Sequence, residues 1–426
     1  MSRGKMPNRD SWDWEGGNKQ VADLEQIAGR YSEVHEYTVS PDGERIAVVV
    51  LKEDDSFGVC VNGELWDGDF EKATHLRFSP DGRLTALVQT DDEWTVAVDG
   101  ELWDERYEFA WNTQFDLLGQ VIVAQVKQDM KYSVAIDGKS WESQYLSSRA
   151  LAVSEDGSQV AAAVQTEVVP EADIEKHFEG VWTVSVNGKA WDQTFVNVYG
   201  PVFSADGAHV AAQVRLDICE YTLCHDATLW KSRYNCIWEP GYRAAGEALL
   251  VPVRIGGSWT LAENDKPLWD GRYTQLWRQQ VSPNGKRVAA VVAPSWGRWT
   301  VAIDDKPWPI TVSDVILNPL FCPAGKRVAV AVRDQDRWTI AVDGKLWPET
   351  FDMVWDPVFT PDSKLVVAKV ERDGRFGICV DGRLGKQRFD ALWDPVVSDD
   401  GKQVLVRGVT DGKYRRQVLS LKEIRG

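Results

Sequence analysis

Apolar residues along this chain fall in short runs, too brief for ordinary helices and spaced as strands are. One unit shows the arrangement. Leu76-Arg77-Phe78 alternates apolar and polar side chains, and Leu84–Gln89 is a second, mostly apolar run. Trp94-Thr95-Val96-Ala97-Val98 is a third, and Glu101-Leu102-Trp103-Asp104 is a half-polar fourth leading to Tyr107. Ser79-Pro80-Asp81-Gly82 separates the first two runs, and Asp99-Gly100 separates the last two. Asp-Gly tolerates positive φ at both turn residues, so it joins neighbouring strands as a tight hairpin. The pattern predicts four antiparallel strands, with the first innermost and the Trp-Asp strand outermost.

This unit recurs about every 38 to 40 residues. Its first turn appears at Ser40–Gly43, Ser79–Gly82, Ser154–Gly157, Ser204–Gly207, Ser282–Gly285 and Ser398–Gly401. Weaker copies lie at Asp116–Gly119, Arg243–Gly246, Cys322–Gly325 and Thr360–Ser363. The second turn appears at Asn62-Gly63, Asp99-Gly100, Asp137-Gly138, Asn187-Gly188, Asp343-Gly344 and Asp381-Gly382. Degenerate copies are His225-Asp226, Asn264-Asp265 and Asp304-Asp305. Four short strands in a repeat of this length form one propeller blade, so the chain reads as an all-β propeller of ten four-stranded blades.

Tryptophan follows the same frame. Of 21, 18 occupy three repeat positions. Trp94, Trp182, Trp259, Trp299 and Trp338 open the third strand. Trp66, Trp103, Trp141, Trp191, Trp230, Trp269, Trp308 and Trp347 sit in the fourth. Trp111, Trp238, Trp277, Trp355 and Trp393 precede the innermost. Phe57, Tyr132, Tyr221, Phe376 and Tyr414 replace Trp in the third strand, and such interchange points to packing between blades, where one ring buries about 150–250 Å².

The last repeat has three strands, Pro395–Val397, Gln403–Arg407 and Tyr414–Leu419, and lacks an outer one. Gly29–Val34 aligns without a gap with Gly271–Leu276, 11 residues ahead of the first turn in each case. Residues 22–31 are therefore expected to complete the last blade, after an N-terminal tail of residues 1–20 and within a propeller of residues 21–426. Pairing first and last repeats hides a sheet edge and favours one ring. Two five-bladed rings are the alternative.

Departures from the repeat are the candidate sites. Gly157 and Gly207 are 50 residues apart, and the excess forms an insertion at 167–180. Pro170, Glu171 and Asp173 followed by Gly180 predict a helix, with Ile174 and Phe178 on its apolar edge. It either folds onto its own blade or projects to a partner. Trp12 and Trp14 alternate in an otherwise polar tail, as an anchor for another subunit or as a strap on the propeller. Trp296, in the Pro294–Gly297 loop, is the third off-register tryptophan and belongs at a rim. Trp12, Trp14, Val169, Ile174, Phe178 and Trp296 are the candidate partner-binding residues.

Charge narrows the partners. A net charge of −17 and pI of about 4.9 oppose binding to phosphate backbones, so nucleic acid is not expected. No run of 18 apolar residues exists to span a membrane, and the N-terminus lacks an apolar secretory core, so the expected location is cytoplasmic. Six cysteines without framework spacing suit buried thiols. Cys219, Cys224, His225 and Cys236 could in principle cluster in one blade, but Cys224 takes the small-core position of Cys60, Ala97 and Cys379. Asp67, Asp104, Asp192 and Asp270 read as edge-strand charges. No haem, zinc, iron–sulfur, nucleophile-elbow or nucleotide-binding spacing occurs in a fitting context. The reading is of a non-enzyme with no catalytic, cofactor-binding or metal residues.

The Ser-Pro-Asp-Gly units resemble the WD40-like (PD40, TolB-type) propeller repeat over almost the whole chain. That motif speaks for fold and hardly for function. The tryptophan load and Val-Asp-Gly-Lys-x-Trp hairpins, as in Val342–Trp347, resemble the tryptophan-rich subunit of the Tmc transmembrane electron-transfer complex of sulfate-reducing bacteria. The resemblance implies a cofactor-free scaffold or accessory subunit, held at the inner membrane by its partners. Those would be an iron–sulfur subunit, a membrane cytochrome b and a periplasmic multihaem cytochrome. The alternative is a propeller that binds or transforms a small ligand in its channel.

Overall fold

The second strand of each repeat is its most apolar, and burial shows why. Ile46–Leu51, Val160–Gln165 and Val328–Asp334 each begin with five successive buried residues. A strand covered on both faces has no solvent side to alternate towards. Around such strands the chain builds ten antiparallel sheets, each ordered outward from the innermost strand. The first blade comprises Glu33–Val39, Ile46–Leu51, Phe57–Val61 and Glu64–Leu65. The computed structural model describes residues 9, 11–169, 178–243 and 248–425.

The first turn is held by its own side chains. Ser40 Oγ donates to Asp42 Oδ1 at 2.5 Å and accepts from Arg45 N at 2.9 Å, while Gly43 N donates to Ser40 O at 3.0 Å. Ser154, Ser204, Ser282, Thr360 and Ser398 repeat this pattern, and Cys322 Sγ accepts from Arg327 N instead. The Arg243–Gly246 copy lies partly outside the described residues.

The Asp or Asn of the second turn carries two duties. Its φ is positive, as at Asp99 (47°) and Asp343 (50°). Its side-chain oxygen also accepts from the first backbone N–H of the second strand: Asn62 from Ile46 at 2.9 Å, Asp99 from Leu84 at 3.0 Å, Asp343 from Val328 at 2.8 Å. One residue type thus shapes the hairpin and ties the two turns together, which glycine or alanine could not do.

Ten buried clusters follow one another around the ring, each built from two neighbouring blades. Ala211 and Leu223 of blade five pack with Ile237, Leu249 and Val251 of blade six. Tyr414 and Val409 of blade ten pack with Val39, Ile46 and Val48 of blade one. Both contacts belong to a single ten-bladed ring, so the alternative of two five-bladed rings is set aside.

An N-terminal strand closes that ring, but from different residues than expected. It is Gly17–Asp23, paired antiparallel with Lys413–Ser420 from Gly17 opposite Val418 to Asp23 opposite Lys413. Only residues 22 and 23 of the expected 22–31 belong to it, and part of the expected tail of residues 1–20 is strand. Leu24–Ala28 is a short helix capped by Asp23, whose side chain accepts from Gln26 N. The alignment of Gly29–Val34 with Gly271–Leu276 had matched the connection between blades. The outer strand of blade six, Lys266–Pro267, lies before Gly271, and Gly271 onward leads into blade seven. Blade ten departs from the two-residue outer strand because its third strand is eight residues long and has a long edge to cover.

The seam is latched by side chains. Arg407 Nη1 donates to Ser40 O at 3.0 Å, Arg416 Nε to Asp42 O at 2.8 Å, and the buried Tyr414 hydroxyl to Gly43 O at 3.0 Å. Strand alternation places all first and second turns on one face of the ring. The hairpin tips between second and third strands lie on the opposite face.

Deleting residues 1–23 should expose the Lys413–Ser420 edge, lower the melting temperature and produce concentration-dependent oligomers in size-exclusion chromatography. Tyr414→Phe, which removes one buried hydrogen bond, should cost only about 1 kcal/mol in denaturant unfolding.

Candidate functional site

The in-register tryptophans are spent on packing. Five of the eight fourth-strand rings, Trp66, Trp103, Trp141, Trp308 and Trp347, lie under the second-turn glycine of the next blade. A Cβ added at Gly100 would sit 3.4 Å from Trp66, one at Gly138 3.2 Å from Trp103, and one at Gly382 3.1 Å from Trp347. The rings before the innermost strand meet the third-strand aromatic of their own blade. Trp238 stacks on Trp259 with centroids 5.4 Å apart, and Trp277 meets Trp299 edge-on at 4.8 Å.

The five candidate partner-binding residues that are described do not come together. Trp12 and Trp14 stack on each other at 6.1 Å, with the Arg9 guanidinium 5.5 Å over Trp12. Arg9 reaches Val397 O, and Arg416 donates to Asp13 O, so this segment straps blade ten on the turn face. Val169, Phe178 and Trp296 belong to the opposite, hairpin-tip face. Val169 is half-buried and Phe178 is exposed at the end of the insertion, where residues 178 and 179 are helical. Ile174 lies outside the described residues. Trp296 is 82% exposed at the tip of blade seven.

Trp296 has company that single-residue reasoning missed. Blade three presents Met130 at its tip, 71% exposed; blade four Val168, 63%; blade five Ile218, 60%. Ile255 is exposed beside the blade-six tip. The tips of the other five blades are polar or acidic: Gln335-Asp336, Asp373-Gly374, Asp411-Gly412, Asp54-Asp55 and Asp91-Asp92. The hairpin-tip face is therefore divided: each of blades three to seven presents an exposed apolar residue at or beside its tip, with Asp129 and Asp217 among them, whereas the other five tips are acidic or polar without one. Comparing the tip residue across repeats would have found it in the sequence.

Blades three to eight wall a cavity of about 1060 Å³ at the channel. A bulge in the innermost strand re-aims one residue per blade towards it. Pairing shifts between Trp111 and Gln114 and between Trp277 and Gln280, where Asn112 and Arg278 take positive φ. In blades eight to ten the same position is followed by Pro319, Pro357 or Pro395, and the innermost strand breaks into two short pieces there. Many polar groups at this level bind the adjacent blade. Gln114 Nε2 donates to Leu151 O at 3.1 Å, Arg278 to Ile316 O at 2.9 Å, and Gln279 to Glu239 O at 2.7 Å. Burial pushes the Asp356 carboxyl above its ordinary range; Asp394 adds to this and Arg278 offsets it.

The cysteines do not converge. Cys219 is exposed at the blade-five tip, whereas Cys224 is buried near the opposite face, where burial pushes its thiol up to about 12. Among the described residues, one group combines His and carboxylate ligand atoms at metal-binding separation: His209, His225 and Asp226.

Fold and geometry define a ten-bladed β-propeller with a divided hairpin-tip face. No protein-family model and no curated protein matches the chain. Among solved structures it is similar to one titled "Crystal structure of the eukaryotic initiation factor", at 12% identity and a TM-score of 0.47, covering 84% of this chain and 96% of that one. Among the described residues, no helix is long and apolar enough to cross a membrane.

Asp356 supplies a pH test. Its pKa is raised in the folded state, so the folded protein holds this proton more tightly than the unfolded chain. Its charge opposes folding at neutral pH, and that cost fades as pH falls through the raised pKa. Asp356→Asn should raise the melting temperature at pH 7, with the gain shrinking towards about pH 4, near an ordinary aspartate pKa.

Proposed function

We propose that this protein is a non-catalytic docking subunit that grips a partner through the apolar half of its hairpin-tip face. The observation that carries the reading is the run of five consecutive blades bearing Met130, Val168, Ile218, Ile255 and Trp296. Apolar side chains at solvent-facing tips gain nothing for the monomer. On docking they would be desolvated together, with a large exposed tryptophan as the natural anchor. The acidic tips opposite would align a partner whose surface pairs an apolar patch with lysine and arginine. The resemblance of the tryptophan-rich repeats to a subunit of a membrane electron-transfer complex makes an iron–sulfur or cytochrome subunit the partner to test.

Tagged protein should be isolated from native membranes and its absorbance recorded. Wild type should carry haem or iron–sulfur absorbance in stoichiometric amount. Trp296→Asp combined with Ile218→Asp should weaken capture by about 2 kcal/mol or more, roughly thirtyfold, with unchanged melting. Asp373→Lys should mainly slow association. A colourless, monodisperse wild-type protein would refute the redox partner.

The channel supports a second reading, a small-ligand binder, because the 1060 Å³ cavity is large enough for a metabolite. Its polar lining, however, is largely committed to neighbouring blades. Retention of a small molecule through native purification, lost in Gln280→Leu, would favour it.

A further inference from the structure

Blade five breaks the repeat at two positions that face each other. The residue before the second-turn Asp or Asn is Val61, Val98, Ile136, Val186, Ile303, Val342 or Val380 in seven other blades, and Glu263 in blade six. In blade five it is His225. The residue that ends the first turn is Arg287 or Arg327 in blades seven and eight, where it pairs with the second-turn Asp304 or Asp343 at 2.9 Å. In blade five it is His209. Two of the chain's five histidines thus share one carboxylate, Asp226.

The geometry is that of a ligand set. Asp226 Oδ1 accepts from Val210 N at 3.0 Å, which orients the carboxylate. Its Oδ2 faces His209 Nδ1 at 2.6 Å and His225 Nε2 at 3.5 Å. One ligand atom from each of the three residues lies within 4.8 Å of the others. His225 Nε2 is shut off from solvent and has no hydrogen-bond partner among the described residues. The same holds for the hydroxyl of Tyr242, whose ring packs on His225 from blade six with centroids 6.0 Å apart. A structural His–Asp pair accounts for His209. It does not account for a second imidazole in a valine position, its nitrogen 3.5 Å from the same oxygen and without a hydrogen bond.

We propose that His209, His225 and Asp226 form a binding site for one divalent transition-metal ion of the zinc class. Two imidazole nitrogens and a carboxylate oxygen suit that class. Metal–ligand bonds of about 2.0–2.1 Å place tetrahedral ligands roughly 3.3 Å apart, so the 3.5 Å between His225 Nε2 and Asp226 Oδ2 already suits a shared ion, while His209 at 2.6 Å withdraws slightly. The hydrogen bond from Val210 fixes the carboxylate as an outer-shell partner does. The fourth position falls to water or to the Tyr242 hydroxyl, which would then bridge blades five and six.

The test uses the full chain stripped with chelator and titrated with Zn2+ by calorimetry, with the Co2+ absorption spectrum as a second readout. Wild type should bind one equivalent and give a tetrahedral Co2+ spectrum without a thiolate charge-transfer band. His225→Val and Asp226→Asn should each weaken binding at least tenfold. Both are residues that other blades use in the same place, so the metal-free melting temperature should hold. His209→Arg combined with His225→Val should remove the site. Absence of saturable binding in wild type, equal affinity in the variants, or loss of binding only in Cys219→Ser would overturn the proposal.

Discussion

Each blade of this protein is apolar on both faces, and the rest of the structure answers the need to cover both. A second strand such as Ile46–Leu51 is buried from either side. A blade with an uncovered face would leave Val and Ala side chains in water, at roughly 25 cal/mol per Å² of apolar surface. Neighbours supply the cover, and only a closed ring supplies it to every blade. That is why the two chain ends, so far apart in sequence, must meet. Gly17–Asp23 pairs with Lys413–Ser420, and Arg407, Tyr414 and Arg416 stitch the same seam to the first turn.

The ring then assigns its surfaces unequally. The turn face is dense with structural hydrogen bonds, because Ser-Pro-Asp-Gly and Asp-Gly turns bind one another within a blade and arginines cross to the next. Trp12 and Trp14 are drawn into this face as a strap. The channel wall is likewise knitted between blades by Gln114, Arg278 and Gln279. The hairpin tips are tied more locally, as where Asp373 N and Asp411 N donate to Asp352 and Asp390 of their own blades. Their exposed side chains differ in blocks, with an apolar residue at or beside the tip of each of blades three to seven and acidic or polar tips elsewhere.

Architecture was legible in the sequence because a period-two pattern and a turn with a strict backbone requirement repeat ten times. Site chemistry was less legible. The offset in the closing strand arose because Gly29–Val34 does match a repeat segment, but that segment lies between blades. The six candidate residues were chosen one by one as departures, and the five that are described scatter over opposite faces. Met130 and Ile218 are ordinary residues alone. They acquire meaning only when five tips share one rim. Cys224 is buried, in keeping with its small-core position, and it stands apart from exposed Cys219 because five residues along a strand carry the chain from one face almost to the other.

Local physics, then, is what the sequence determined by itself: strand period, turn conformation, and the small or aromatic side chains that fit between sheets. Each is set by a residue and its near neighbours. Tertiary structure decided how many blades share one ring, which residues supply the closing strand, and which side chains from distant turns face one another. Those depend on where a twisted stack of sheets brings its two ends and on which face each loop emerges. His209 and His225 show the difference. Each is a single substitution in its own turn, and only the antiparallel return of the third strand sets both against the same carboxylate.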